Sequence, residues 1–282
     1  MGEHLIDVGD ARLCWESSGS PDDPAVLLIG GIAMPMDWWA PEFCARLAGA
    51  GRFVVRYDHR DTGRSTCYLP GAPGYTFDEL STDPLRVLDA LGIGAAHIVG
   101  LSMGGGIAQQ LGAQHPSRVR TLTLVSTSLA GDRTDTAPLP PPEARLVESF
   151  ANPAPEPDWQ DRAAVVEYLV DQQRLYAGDS FDEERVRGVA QIVVERSTSP
   201  ASAGNHALAD GGSAPPVRLA DITAPTLVLH GTADPLFPLP HGHALAAAIA
   251  GARLVELPGM GHEVPPPALW DTALPEIVRH TA

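Results

Sequence analysis

The sequence predicts an α/β architecture: a mostly parallel central sheet flanked by helices on both faces, with a helical cap insertion late in the chain. Three observations carry that reading. Short apolar runs without polar alternation, at 25–29, 53–57, 96–99 and 225–229, suit strands buried on both faces. Between them lie amphipathic stretches long enough for crossover helices. From about 129 to 220 the strand pattern stops, prolines and helical stripes take over, and strands then resume.

The 282 residues fit one domain with an insertion, and a hydrophobic fraction of 44% supplies an ordinary core. Nineteen Lys and Arg against thirty-five Asp and Glu give a formal charge of −16. Such a surface repels phosphate backbones and anionic lipid, so neither nucleic acid nor membrane is expected as a partner. A monomer or small homo-oligomer is expected. Cys14, Cys44 and Cys67, an odd count at irregular spacing, form no disulfide framework and no metal-type pair. They read as reduced thiols of a cytoplasmic protein. Residues 1–7 lack the basic and apolar regions of a signal peptide, and Ile6 stands where a myristoylation site carries Ser or Thr. No run reaches the ~18 apolar residues of a membrane span.

Taken in order, 4–8 and 12–16 read as a hairpin around Gly9 and Asp10. The strand at 25–29 ends in Gly30-Gly31-Ile32-Ala33-Met34-Pro35, and a helix is expected over 38–48 with Trp39, Phe43 and Leu47 on one face. The strand at 53–57 runs into a charged loop, 58–65. Asp83 reads as a helix N-cap with Pro84 in the first helical position, and Gly92 as the stop. Strands at 96–99 and 121–125 flank the next helix. The chain then divides into an N-terminal core part (1–128), a cap (129–220) and a C-terminal core part (221–282). Within the cap, a proline-rich stretch at 132–160 and a small-residue stretch at 199–216 surround helical segments near 143–150, 161–176 and 182–197. A strand at 225–231, a helix at 241–250, a strand at 252–257 and a helix at 267–280 complete the pattern.

Gly100-Leu101-Ser102-Met103-Gly104 reads Gly-x-Ser-x-Gly between a strand and a helix, the setting in which a sharp turn presents a serine as nucleophile. A serine hydroxyl is a very weak acid, so it needs a base, and the base needs an orienting anion. His262, in the glycine-bracketed stretch Pro258-Gly259-Met260-Gly261-His262, is the expected base. Asp234, in His230-Gly231-Thr232-Ala233-Asp234-Pro235, is the expected acid, the alternative being an Asx turn or cap ahead of Pro235. Glu263 adjoins the histidine, but neighbouring side chains diverge. The other histidines read as ordinary surface or core groups, with His59 and His230 nearest the site loops. Two backbone donors are expected for an oxyanion: the N–H of Met103, at the positive end of a helix, and that of Ile32, with Gly31 as the alternative. The 58–65 loop reads as a salt-bridged brace for the nucleophile turn, with Arg60 and Arg64 as internal partners. Neither a metal nor a cofactor is expected.

Together these segments resemble the serine α/β-hydrolase superfamily over roughly 4–281. The matches are Gly30-Gly31, the 57–65 loop, Gly100-Leu101-Ser102-Met103-Gly104-Gly105, 230–235 and Gly259-Met260-Gly261-His262. The resemblance implies the α/β-hydrolase fold with its helical cap. More narrowly, the 57–66 loop, the Gly-Leu-Ser-Met-Gly turn and Leu257-Pro258-Gly259-Met260-Gly261-His262 look like the aclacinomycin methylesterase group of aromatic polyketide biosynthesis. Members of that group cleave a methyl ester on an anthracycline. Epoxide hydrolases and haloalkane dehalogenases of this fold carry aspartate at the turn, and dienelactone hydrolases carry cysteine. Ser102 therefore favours an ester or lactone.

The expected activity is that of a serine carboxylic-ester hydrolase on a small to medium apolar ester. The same side chains would also serve a lactonase, a C–C bond hydrolase, an acyltransferase or a cofactor-free perhydrolase, and a pocket without catalysis is the remaining alternative. Expected lining residues are Gly31, Met34, Trp38, Trp39, Leu129, Leu146, Phe150, Trp159, Leu169, Tyr176, Leu236 and Phe237.

Overall fold

The computed structural model describes residues 2–131, 138–179, 181–212 and 216–282. Parts of the proline-rich stretch (132–137) and of the small-residue stretch (213–215) lie outside the described residues. The strands are β1 (His4–Asp7), β2 (Arg12–Ser18), β3 (Ala25–Ile29), β4 (Phe53–Tyr57), β5 (Ala96–Leu101), β6 (Val119–Val125), β7 (Thr226–Gly231) and β8 (Arg253–Leu257). They form one sheet in the order β1-β2-β4-β3-β5-β6-β7-β8. β1 and β2 are an antiparallel hairpin, β2 is antiparallel to β4, and the remaining pairs are parallel.

The helices are α1 (Pro41–Gly49), α2 (Phe77–Ala90), α3 (Met103–Gln114), α4 (Ala144–Ala151), α5 (Arg162–Leu175), α6 (Glu183–Arg196), α7 (Pro240–Ala248) and α8 (Trp270–His280). Strand side chains alternate between faces, and β3 displays the result. Val26 and Leu28 join Phe43, Leu47 and Ile277 of α1 and α8. Leu27 and Ile29 join Leu88, Ile107 and Leu245 of α2, α3 and α7. Both faces of the sheet are thus covered, which is why its strands are apolar without alternation. Between β6 and β7 the chain leaves the sheet, and α5 and α6 bury Val165, Val170, Val186 and Val193 against each other and Trp38. β3 lies between β4 and β5, so the chain leaves it on one side and later returns on the other. In such sheets the crevice at the carboxyl ends of the two diverging strands is where ligands bind.

Local details depart from the sequence reading in instructive places. α2 begins at Phe77 rather than at Asp83, because Thr76 and Glu79 form a reciprocal capping box upstream. Asp83 and Pro84 sit inside the helix, where the Asp83 carboxylate serves Arg60 instead of a cap. α1 starts at Pro41, after a short 3-10 turn over Met36–Trp38, which leaves Trp39 ahead of the helix. The 58–65 loop is bridged outward rather than internally. Arg60 pairs with Asp83 and Asp10, and Arg64 with Glu3. Asp58 receives Arg196 from the end of α6. The loop braces the segment after β3, since Asp58 Oδ1 accepts from the Met36 N–H and His59 Nε2–H donates to the Gly30 carbonyl.

The Arg60–Asp83 pair is fully buried, whereas Asp10 is half exposed. Removing one partner of a buried pair strands the other charge, so Asp83→Ala should lower unfolding free energy by about 3–5 kcal/mol. Asp10→Ala should cost about 1 kcal/mol or less. Denaturant melts of the two variants measure the difference.

Candidate active site

The turn between β5 and α3 holds Ser102 at φ 51° and ψ −115°, a left-handed backbone that serine rarely adopts and that costs on the order of 1–3 kcal/mol. Its neighbours make room for it. A Cβ on Gly104 would lie 2.5 Å from the Gly30 carbonyl oxygen and 2.6 Å from that of Ile29, and one on Gly100 would collide with the Gly104 carbonyl. Glycine at both positions lets the start of α3 sit directly on the end of β3. The turn is pinned by the Ser102 N–H on the Val125 carbonyl (3.0 Å) and by the Thr127 hydroxyl on the Ser102 carbonyl (2.9 Å).

His262 comes from the loop after β8 and Asp234 from the loop after β7. His262 Nε2 is 2.8 Å from Ser102 Oγ, and its Nδ1 is 2.9 Å from Asp234 Oδ2. The carboxylate accepts only, so Nδ1 carries the hydrogen and Nε2 is left to accept from the serine hydroxyl. The two oxygens of Asp234 divide their partners between a turn and the histidine. Oδ1 closes the Asx turn by accepting from the Leu236 and Phe237 N–H groups, each at 2.9 Å, while Oδ2 takes His262. Burial works to raise the Asp234 carboxyl. Its contact with the His262 ring, with the Phe237 N–H as a further donor, outweighs that and holds the group below its usual range. His230 Nε2 donates to the Phe237 carbonyl and stands 3.8 Å from Asp234 Oδ2. Desolvation presses its ring toward the neutral form, so it supports the acid loop as a neutral group. The His262 ring is further held edge-on by Phe237, 5.4 Å between centroids, and its backbone N–H donates to the Tyr176 carbonyl at 2.8 Å.

Ser102 and His262 open into a cavity of about 270 Å³ between the sheet edge and the cap. Of the expected lining, Gly31, Met34, Trp38, Trp159, Leu169, Tyr176 and Leu236 surround it, as does Ile32. Five residues lie elsewhere. Trp39 packs on Phe43, which meets Trp270 at a tilt beneath the sheet. Leu129 belongs to the core on the opposite face, and Leu146 is fully buried away from the cavity. Phe150 is 55% exposed on α4, and Phe237 supports His262 from behind. Apolar character marked these residues, but it does not distinguish a core-facing side chain from a cavity-facing one. Those missed are mostly polar or small: Ala33, Glu156, Tyr168, Gln172, Gln173, and Pro200, Ala201, Ala203 and Gly204. Tyr168, Leu169, Gln172, Gln173 and Tyr176 fall at one-face helical spacing on and just after α5. That periodicity, extended to polar residues, could have found them.

Met103 opens α3, so its N–H is among the first-turn donors without an intrahelical acceptor. Gly31 and Ile32 border the same cavity as Ser102. Among the described residues no group of three or more His, Cys, Asp or Glu could hold a metal ion, and no helix is long and apolar enough to cross a membrane.

Residues 24–266 match the family model of the alpha/beta hydrolase fold, and the chain belongs to that family. It is an enzyme of the hydrolase class. It is 36% identical to rhodomycin D methylesterase DauP of Streptomyces sp. strain C5 and 35% identical to rhodomycin D methylesterase DnrP of Streptomyces peucetius. In each case the match covers 94% of this chain and 93% of the relative. Among solved structures, the enol-lactonase of Burkholderia xenovorans LB400 superposes with a TM-score of 0.69 at 26% identity, over 98% of this chain and 97% of that one.

A carboxyl whose native pKa lies below its unfolded value adds stability above that unfolded value, about 4, and loses it as pH falls through the native one. Wild type should therefore melt above Asp234→Asn at neutral pH. The two curves should converge as pH drops below about 4, which thermal melts across pH 3–8 would reveal.

Proposed function

We propose that this protein is a serine carboxylic-ester hydrolase acting on a small to medium apolar ester, with the methyl ester of an aromatic polyketide as the leading substrate class. The observation that carries the reading is the alignment of Ser102 Oγ, His262 and Asp234 at 2.8 and 2.9 Å beside a cavity bordered by Gly31 and Ile32. Full-length identity to two rhodomycin D methylesterases supports the substrate class. A cytoplasmic enzyme, monomeric or a small homo-oligomer, fits the acidic composition and the free thiols of Cys14, Cys44 and Cys67.

The reaction runs as acyl transfer in two halves. Ser102 Oγ attacks the ester carbonyl while its proton passes to His262 Nε2, and Asp234 stabilises the imidazolium. The N–H groups of Met103 and Ile32 hold the oxyanion, the former at the positive end of α3. The tetrahedral intermediate collapses, His262 returns the proton to the departing alkoxide, and the alcohol leaves. Water then gives a proton to the same nitrogen as it attacks the acyl-enzyme, and collapse frees the acid and restores Ser102. Met34, Trp38, Trp159, Leu169 and Leu236 offer the cavity an apolar wall, suited to a carbon-rich acyl group. Lactones undergo the same steps, and the enol-lactonase neighbour makes them the second class to assay.

Turnover of short p-nitrophenyl esters should fall on the order of 10⁴-fold or more in Ser102→Ala, with melting behaviour retained. A fluorophosphonate should label wild type and not the variant. Unchanged hydrolysis or labelling in Ser102→Ala would remove Ser102 from the nucleophile's role. Substitution of Met103 by leucine should be far milder, because its donor is a backbone group.

A further inference from the structure

The chain returns from the cap to the core through a 3-10 segment, Pro200–Ala207, whose last turns press against the loop after β3. His206, 4% exposed, reaches into that loop. Its Nδ1 lies 2.9 Å from the Ala33 backbone nitrogen, and its Nε2 lies 2.7 Å from the Arg60 carbonyl oxygen. An amide N–H only donates and a carbonyl only accepts. The partners therefore define the ring, with a bare Nδ1, a hydrogen on Nε2 and no net charge. Burial favours the same neutral form, against the opposing pull of the Arg60 carbonyl and the Asp61 carboxylate.

Ala33 has a reason to need a partner. Its φ is +57°, and the Met34 N–H donates to the Gly31 carbonyl at 3.3 Å. Gly31–Met34 is thus a tight turn with a left-handed third residue, a position that ordinarily takes glycine. Alanine would relax by flipping the Ile32–Ala33 peptide, which brings φ back to negative values. The flip would aim the Ile32 carbonyl at the lone pair of His206 Nδ1, setting two acceptors against each other. The hydrogen bond from Ala33 thus selects the strained turn. The ends of the same loop are held by the core, through His59 on the Gly30 carbonyl and Asp58 on the Met36 N–H. The middle is held by the cap, through His206.

We propose that His206 is a positioning residue: by holding the Ala33 amide it anchors the middle of the Gly31–Met34 turn, and with it the place of the Ile32 N–H, so the cap completes the oxyanion site. This rests on the acyl-transfer reading above. His206 touches no reacting atom, since Ala203 and Gly204 of its segment border the cavity and it does not.

Two substitutions separate the role from mere cap anchoring. In His206→Asn the amide oxygen can stand where Nδ1 stood and accept from Ala33. In His206→Gln the amide nitrogen reaches the place of Nε2 and keeps the Arg60 link, but the Ala33 N–H loses its acceptor. Hydrolysis of a p-nitrophenyl ester would be measured on the full chain, per active site titrated to completion with fluorophosphonate. The expected result is a fall in kcat of about 10²-fold for His206→Gln, with KM within about twofold, and recovery of most of kcat in His206→Asn. A kcat for His206→Gln within about threefold of wild type, or an equal loss in both variants, overturns the assignment. Hydrolysis persisting in Ser102→Ala would instead overturn the acyl-transfer reading and this inference with it.

Discussion

The start of α3 rests on the last carbonyls of β3 with no side chain between them, and the site depends on that contact. It brings two loops from neighbouring parallel strands to the border of one cavity. One loop carries Ser102 in its left-handed backbone, and the other carries Gly31 and Ile32. Any Cβ at Gly104 would push the Gly30 and Ile29 carbonyls away, parting the proposed nucleophile from the proposed oxyanion donor. The backbone strain at Ser102 is tolerated because its carbonyl and amide are both occupied, by Thr127 and Val125. Local strain at a functional residue persists where the surroundings over-determine it.

The acid loop follows the same logic of divided labour. One oxygen of Asp234 builds the turn that carries it, and the other orients His262. A carboxylate is suited to this because it accepts along several directions at once. Around it, His230 and Phe237 supply shape rather than charge, and the His262 ring is wedged between Phe237 and Tyr176.

Much of this was legible in the chain. Uninterrupted apolar runs gave away strands covered on both faces, and a serine between spaced glycines marked the turn after β5. The order Ser102, Asp234, His262 was readable because each follows a recognisable strand. Boundaries set by competition were not. Asp83-Pro84 has the chemistry of a helix start, but Thr76 and Glu79 cap the helix earlier and Asp83 is engaged by Arg60, over twenty residues away in sequence. Long-range partners of that kind leave no local trace. The same holds for Arg196, whose partners Asp37, Asp58 and Glu3 are scattered through the N-terminal part. Pocket residues were the hardest to read, since Trp38 and Trp39 are adjacent and chemically alike, yet one borders the cavity and the other packs beneath the sheet.

The His262 backbone is tied to the Tyr176 carbonyl just past α5, Arg196 at the end of α6 is clamped to Asp58, and the Thr198 N–H donates to the Gly63 carbonyl. With three such moorings the insertion cannot swing away like a lid on one hinge without dragging the histidine loop along. Ile32 and Glu156, both exposed and both bordering the cavity, mark where it meets solvent with the insertion so moored.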